Sequence, residues 1–147
     1  MEQKIIWMHY LQRGLLISIF GIFLNSCAKV EYAQHADFYF INKTPYQISY
    51  VKGYEKFNVA ANSTILIKDT QDAVKKVDPT TYYAPFRGIS LPSTIKFNQV
   101  KCLTIDAVSE HSPIEIKNYI AERIGERTFK FTYTFTEADY NQAVACP

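Results

Sequence analysis

Apolar and polar residues alternate along most of the chain after residue 36. The alternation is strictest over Thr128–Thr136, where Phe129, Phe131, Tyr133 and Phe135 fall on one face. A period of two residues predicts a half-buried β-strand and is hard to reconcile with a helix. Shorter alternating stretches, separated by turn residues, predict further strands at 46–50, 57–61, 64–68, 93–97 and 102–105.

Two more strands are predicted from other features. Asp37–Asn42 is apolar on both faces, which is typical of a buried central strand. Pro113–Tyr119 predicts a strand with Ile114 and Ile116 directed inward.

The alternation stops in two places. Thr136 and Asp139 have the spacing of a capping box, which predicts a short helix over Glu137–Ala145. Between residues 70 and 92 the chain is interrupted by three prolines and a glycine, with a helical turn predicted over Asp72–Val77. A connection of about 20 residues is unusual in a compact domain.

These elements predict an all-β fold. About eight short strands joined by hairpins favour a two-layer antiparallel β-sandwich, immunoglobulin- or transthyretin-like, with a short C-terminal helix. A barrel-like closure is the second choice. The order of the strands does not follow from the pattern.

The beginning of the chain has a different character. Lys4 and Arg13 precede or border an apolar segment, Leu15–Leu24, which ends at Ser26-Cys27. Ten helical residues extend about 15 Å, whereas the hydrocarbon core of a bilayer is about 30 Å thick. The segment is therefore too short to span a membrane and has the composition of an export signal.

Leu24-Asn25-Ser26-Cys27 resembles the lipobox of bacterial lipoproteins, with Asn25 departing from the commonest residue there. The resemblance implies that Cys27 becomes the first mature residue and carries a diacylglycerol on sulfur and an acyl chain, such as palmitate, on its amine. Two or more chains give stable anchoring. The alternatives are a secretory signal with an accidental cysteine, or an uncleaved transmembrane helix.

The resemblance extends to small uncharacterised lipoproteins that join such a signal to one β-sandwich. It implies a signal peptide at 1–26, a lipidated tether at 27–36 and a sandwich domain at 37–147. Ala28 is not the aspartate that favours retention in the inner membrane, so we expect an outer-membrane anchor. The periplasmic and cell-surface faces remain alternatives.

Charge and cysteine content limit the function further. Without the first 26 residues the chain has 14 basic and 13 acidic residues, a net charge of +1, which gives no electrostatic case for nucleic acid. Cys102 and Cys146 follow Cys27, and in an oxidising compartment they could form a disulfide that closes a loop of about 45 residues. Two separate thiols are an equal alternative.

Candidate chemistry is sparse. His35 and His111 are too far from other ligands to predict a metal site, and no motif predicts a cofactor. A polar loop contains residues from which a hydrolase could be assembled, although residues so close in sequence rarely converge as a catalytic triad. These residues are Asp106, Ser109, Glu110, His111 and Ser112.

The long connection supplies the candidate binding surface. Tyr82, Tyr83, Phe86 and Arg87 are of the types enriched where proteins meet partners, although such rings could also cover an open end of the sandwich. We therefore predict a lipid-anchored, non-enzymatic envelope module that binds a protein or a glycan. The alternatives are an assembly subunit that pairs through strand edges, and a hydrolase.

Overall fold

Two β-sheets pack face to face in residues 32–73, 76–86, 92–105 and 111–147, the part of the chain described by the computed structural model. Sheet A has the strand order β4-β1-β8-β7, and sheet B has the order β3-β2-β5-β6-β9. The strands are β1 (Tyr32–Asn42), β2 (Ile48–Lys52), β3 (Glu55–Val59), β4 (Thr64–Ala73), β5 (Ser93–Phe97), β6 (Lys101–Ile105), β7 (Ile120–Arg123), β8 (Thr128–Phe135) and β9 (Val144–Ala145).

One short helix, α1 (Glu137–Gln142), follows β8, and 3-10 helices lie at Pro79–Thr81 and Ile116–Asn118. The predicted all-β sandwich with a C-terminal helix is confirmed. One neighbouring pair departs from the antiparallel prediction, because β1 runs parallel to β8 while it is antiparallel to β4.

Strand alternation builds the core as the sequence predicts. In β8 the four aromatic residues are buried and the residues between them are partly exposed. In β1, Phe38 and Phe40 are buried on the same side. The Phe38 and Phe131 rings stack with centroids 5.0 Å apart, as expected for residues that are register partners. Each such ring contributes about 1.5–3 kcal/mol through its burial, so β1 and β8 form the centre of the core.

Asn42 links the two sheets where β1 ends. Its amide donates to the carbonyl oxygens of Tyr46 (2.7 Å) and Ala60 (2.9 Å), and its Oδ1 accepts from the backbone nitrogen and hydroxyl of Thr44. The side chain is almost completely buried. A buried amide that is satisfied in this way fixes the path of the chain from sheet A to sheet B.

Several predicted boundaries are wrong. β1 begins at Tyr32, so residues 32–36 belong to a strand and not to the tether, and the domain does not begin at residue 37. β4 extends to Ala73, which removes the first part of the helical turn predicted over 72–77. Ile114 is buried and Ile116 packs on the core as predicted, but 116–118 is a 3-10 helix.

The predicted C-terminal helix is too long. α1 ends at Gln142 because the chain then pairs as β9 with the edge of β6, where Val144 lies opposite Cys102. Residues 32–147 form one compact unit that contains both sheets.

Candidate functional site

Most of the aromatic residues predicted to form a binding surface at 82–87 are buried or partly buried. Tyr82 is completely buried, and its ring packs against Phe38 and Phe131, so its assignment to a binding surface is wrong. Phe86 is partly buried, with its ring centroid 5.7 Å from that of Tyr50. The rings cover the sandwich, which was the alternative interpretation, while Arg87 lies outside the described residues.

Tyr83 is the exposed member of this group. Its side chain is 57% exposed. Its backbone is fixed to β4 by the side chain of Gln71, which accepts from the Tyr83 nitrogen at 3.1 Å and donates to the Tyr83 oxygen at 2.9 Å. The long connection is thereby held beside the end of β4.

The Tyr82 hydroxyl also contacts β4, in which Asp69 lies. Tyr82 Oη donates to Asp69 Oδ2 at 3.3 Å. Burial raises the pKa of the Tyr82 phenol, and the negative charge of Asp69 raises it further. The phenol is therefore a hydrogen-bond donor, and this contact explains why an aromatic residue in an irregular segment belongs to the core.

Cys102 and Cys146 form a disulfide, with their Cα atoms 4.9 Å apart. The sequence left open whether these cysteines form a disulfide or remain separate thiols, and the structure has the disulfide. The bond lies beside the β6–β9 pairing, and the Cys146 nitrogen also donates to the Val100 oxygen at 3.0 Å. The bond therefore fixes the end of the chain along the edge of sheet B. The predicted lipid-attachment residue, Cys27, lies outside the described residues.

His111 takes part in a polar cluster with residues distant in sequence. Its Nδ1 lies 2.8 Å from Asp139 Oδ1, and the Tyr133 hydroxyl lies 3.2 Å from the same nitrogen and 3.3 Å from the His111 carbonyl oxygen. Because a carboxylate oxygen accepts, Nδ1 donates to Asp139 and Tyr133 donates to the carbonyl. Burial raises the pKa of the Tyr133 phenol, and the Asp139 carboxylate raises it further.

The carboxylate of Asp139 is the centre of this cluster. It is buried, and its other oxygen accepts from the Thr136 nitrogen at 2.7 Å, which is the predicted capping contact of α1. An Asp–His pair can orient an imidazole for proton transfer. Among the described residues, however, no serine, threonine or cysteine side chain is hydrogen-bonded to His111, and the buried Ser112 hydroxyl accepts from the Ile114 nitrogen. Asp106, Ser109 and Glu110 lie outside the described residues.

The outward face of sheet A carries a mostly apolar row of side chains, in which Thr132 is the one polar member. The pairings Leu66–Tyr39, Tyr39–Thr132 and Thr132–Ile120 place these four residues side by side across all four strands. Directly paired residues share a face of the sheet. Leu66 is 42% exposed and Ile120 is 75% exposed. The row therefore presents apolar surface to solvent at both edges of the sheet.

A row of charges runs beside the apolar row. Lys68, Asp37, Lys130 and Glu122 are paired in the same way across the four strands, so positive and negative charges alternate. Lys130 Nζ lies 3.2 Å from Glu122 Oε2. We call these two rows together the sheet A face. Sequence reasoning missed it, because the rows become visible only when the register between strands is known.

The described residues contain no group of three or more His, Cys, Asp and Glu side chains that could hold a metal ion. Within the same ranges, no helix has the length and apolar character needed to cross a membrane. Comparison with protein-family models, with curated proteins and with solved structures finds no match to this chain.

Proposed function

We propose that this protein is a lipid-anchored envelope module, held at the outer membrane, that binds another protein with its sheet A face. The observation that carries the proposal is the mostly apolar row from Leu66 to Ile120, whose two ends are exposed, bordered by the row of alternating charges. An apolar strip beside polar groups is the composition of a protein–protein contact. A row of charges of alternating sign would fix the register of the partner.

The edges of sheet A also favour the binding of another protein. β4 has ten residues and is an edge strand, as is β7, among the strands described. An exposed strand edge offers unpaired backbone groups to which an extended segment can add. Tyr83, fixed beside β4 by Gln71, would extend the contact surface at one end of that edge. The exposed edges of β4 and β7 also favour the second candidate function, an assembly subunit that pairs through strand edges.

The short link to the anchor supports the membrane part of the proposal. The strand β1 begins at Tyr32, five positions after Cys27, so only residues 28–31 lie between them. Five steps from one residue to the next extend at most about 18 Å. A lipid on Cys27 would therefore hold the sandwich close to the bilayer and limit its partners to proteins at the membrane surface.

Two experiments test the two parts separately. Mass spectrometry of the protein purified from membranes should show cleavage before Cys27 and the mass of the lipid; an unmodified Cys27 thiol would refute the anchor. For the binding surface, photo-crosslinking in intact cells should give adducts that are lost in the Leu66→Glu/Ile120→Glu variant.

The matched control for the binding surface is Tyr54→Glu/Val100→Glu. Both of these residues are also exposed, at 102% and 68%, but they lie in turns of sheet B. The control should keep the adducts. Equal loss in both variants, or no loss in either, would refute the assignment of binding to the sheet A face.

A further inference from the structure

A pocket with an excess of positive charge lies at the end of the sandwich where β1 begins. It has a volume of about 270 Å³ and is lined by Lys76, Val77, Arg123, Glu126 and Arg127. Three cationic side chains face one acidic side chain there. The volume is below the range of about 300–1,000 Å³ typical of sites for drug-sized ligands, which limits the occupant to a small group.

Arg123 is held in place from three sides. Its guanidinium donates to the Val77 oxygen at 2.7 Å and to the Glu126 oxygen at 2.6 Å, and it lies 4.9 Å from the centroid of the Phe129 ring. These contacts join the segment at residues 76–78 to the β7–β8 turn. A guanidinium fixed in this way loses little conformational entropy when it meets an anion.

Arg127 is positioned by β1. Its carbonyl oxygen accepts from the His35 nitrogen at 2.9 Å, and its guanidinium lies 4.2 Å from the centroid of the Tyr32 ring. The neighbouring acid Asp78 does not line the pocket, and its carboxylate accepts from the Thr80 nitrogen and hydroxyl. The pKa of Asp78 is lowered by these hydrogen bonds, and further by the charges of Arg123 and Lys76.

We propose that this pocket, lined by Lys76, Arg123 and Arg127, binds a phosphate group. Arginine forks and a lysine are the side chains that recognise phosphate oxygens. The group has two sources, a phospholipid headgroup or a free phosphate. The headgroup source rests on the proposed lipid anchor, because the pocket adjoins Tyr32, the first residue of β1.

The experiment uses the full-length protein purified in a non-ionic detergent, titrated separately with three probes. The probes are inorganic phosphate, dihexanoyl phosphatidylglycerol and dihexanoyl phosphatidylcholine, each below its micelle concentration. Binding is followed by calorimetry and by phosphorus NMR. The site variant is Lys76→Gln/Arg127→Gln, and the control is Lys56→Gln/Lys117→Gln, which removes the same charge at two exposed positions outside the pocket.

We expect the wild type to bind at least one anionic probe, the site variant to bind it about tenfold or more weakly, and the control to change by less than about twofold. Binding of phosphatidylglycerol but not inorganic phosphate assigns the site to a headgroup. Binding of inorganic phosphate alone assigns it to a free phosphate. Circular dichroism shows that each variant is folded.

Two results would overturn the proposal: no binding of either anionic probe by the wild type at millimolar concentration, or equal weakening in the site variant and the control. The titration does not require a lipid on Cys27, and it leaves Leu66 and Ile120 unchanged. A failure here is therefore distinguishable from a failure of the anchor or of the sheet A face.

Discussion

Nδ1 of His111 lies 2.8 Å from Oδ1 of Asp139 and joins the segment that follows residue 110 to the first turn of α1. The two residues differ in their exposure, since the His111 side chain is 48% exposed and that of Asp139 only 4%. A buried carboxylate requires its hydrogen bonds, because an unsatisfied one would cost several kcal/mol. The pair therefore stabilises the C-terminal part of the fold through Asp139.

We expect Asp139→Asn to lower the free energy of unfolding by about 2 kcal/mol. The change removes the negative charge that strengthens the bonds from Thr136 and His111, and bonds to charged groups contribute about 1.5–3 kcal/mol. Urea unfolding measures the effect. Glu137→Gln, in the exposed part of the same first turn, is the control and should change stability by less than about 0.5 kcal/mol. Equal effects would show that the Asp139 cluster has no special role.

The disulfide gives a second prediction. Cys102→Ala/Cys146→Ala should lower the free energy of unfolding by about 4 kcal/mol, because the bond closes a loop with a sequence separation of 44. Hydrogen exchange at the Cys146 amide, which donates to the Val100 oxygen, should become faster than exchange in β8. Unchanged stability of the wild type in reducing agent would contradict the prediction.

Alkaline pH should destabilise the protein. Burial raises the pKa of Tyr50 to about 12, against an ordinary value of 10.0, and it also raises the pKa values of Tyr82, Tyr119 and Tyr133. Below pH 10 the phenols are neutral in both states, so this contribution is fully present. Above pH 10 only the unfolded chain loses these protons, and stability falls as the pH rises through the folded pKa.

For Tyr50 the loss is about 1.4 kcal/mol for each pH unit between 10 and 12. Urea unfolding at pH 8 to 11.5 measures the slope, and absorbance at 295 nm reports when the buried phenols ionise. The buried phenols should ionise only as the protein unfolds. Ionisation of all the tyrosines before any loss of structure would show that these phenols are accessible.

Tyr50→Phe is a separate prediction at the same position. The buried Tyr50 hydroxyl makes no hydrogen bond of normal geometry with the described residues, although the nearby Ser93 hydroxyl lowers the pKa of Tyr50 against the larger effect of burial. Removing the Tyr50 hydroxyl should leave stability unchanged or raise it by about 1 kcal/mol at pH 7. The variant should also show a shallower loss of stability above pH 10. A loss of more than about 1 kcal/mol at pH 7 would contradict the prediction.

The β5–β6 turn allows a stabilising change. Gln99 is exposed and has a φ of 61°, in the left-handed region that costs a non-glycine residue about 1–2 kcal/mol. Gln99→Gly should therefore raise the free energy of unfolding by about 1 kcal/mol. Gln99→Val, a β-branched residue, should lower it, and thermal unfolding of the two variants measures the difference. A Gln99→Gly variant that is less stable than Gln99→Val would refute the argument.

The sequence predicts the strands best where the alternation has an aromatic face. β8 matches its prediction because Phe129 and Phe135 leave no other way to bury one face. The strand predicted at 113–119 is wrong, although Ile114 and Ile116 do face the core, because two apolar residues two positions apart also suit an irregular segment. Tyr82 was misplaced for a related reason: an irregular segment can supply the core when it crosses the sandwich.

The sheet A face could not be predicted from the sequence. Leu66, Tyr39 and Ile120 belong to three strands far apart along the chain, and only their register makes them neighbours. The same is true of His111 and Asp139, of which only the capping role of Asp139 was predictable from local spacing. Local patterns therefore predict elements, whereas sites built from several elements require the topology.

The parallel pairing of β1 with β8 has a consequence for biogenesis. β1 is synthesised well before residues 128–135, and the central ladder cannot close until those residues have been made. Contacts so distant along the chain slow folding, because the intervening chain must first be ordered. A nascent polypeptide thus cannot complete sheet A before β8 has been synthesised, and until then β1 has a neighbour on one side only, the strand β4.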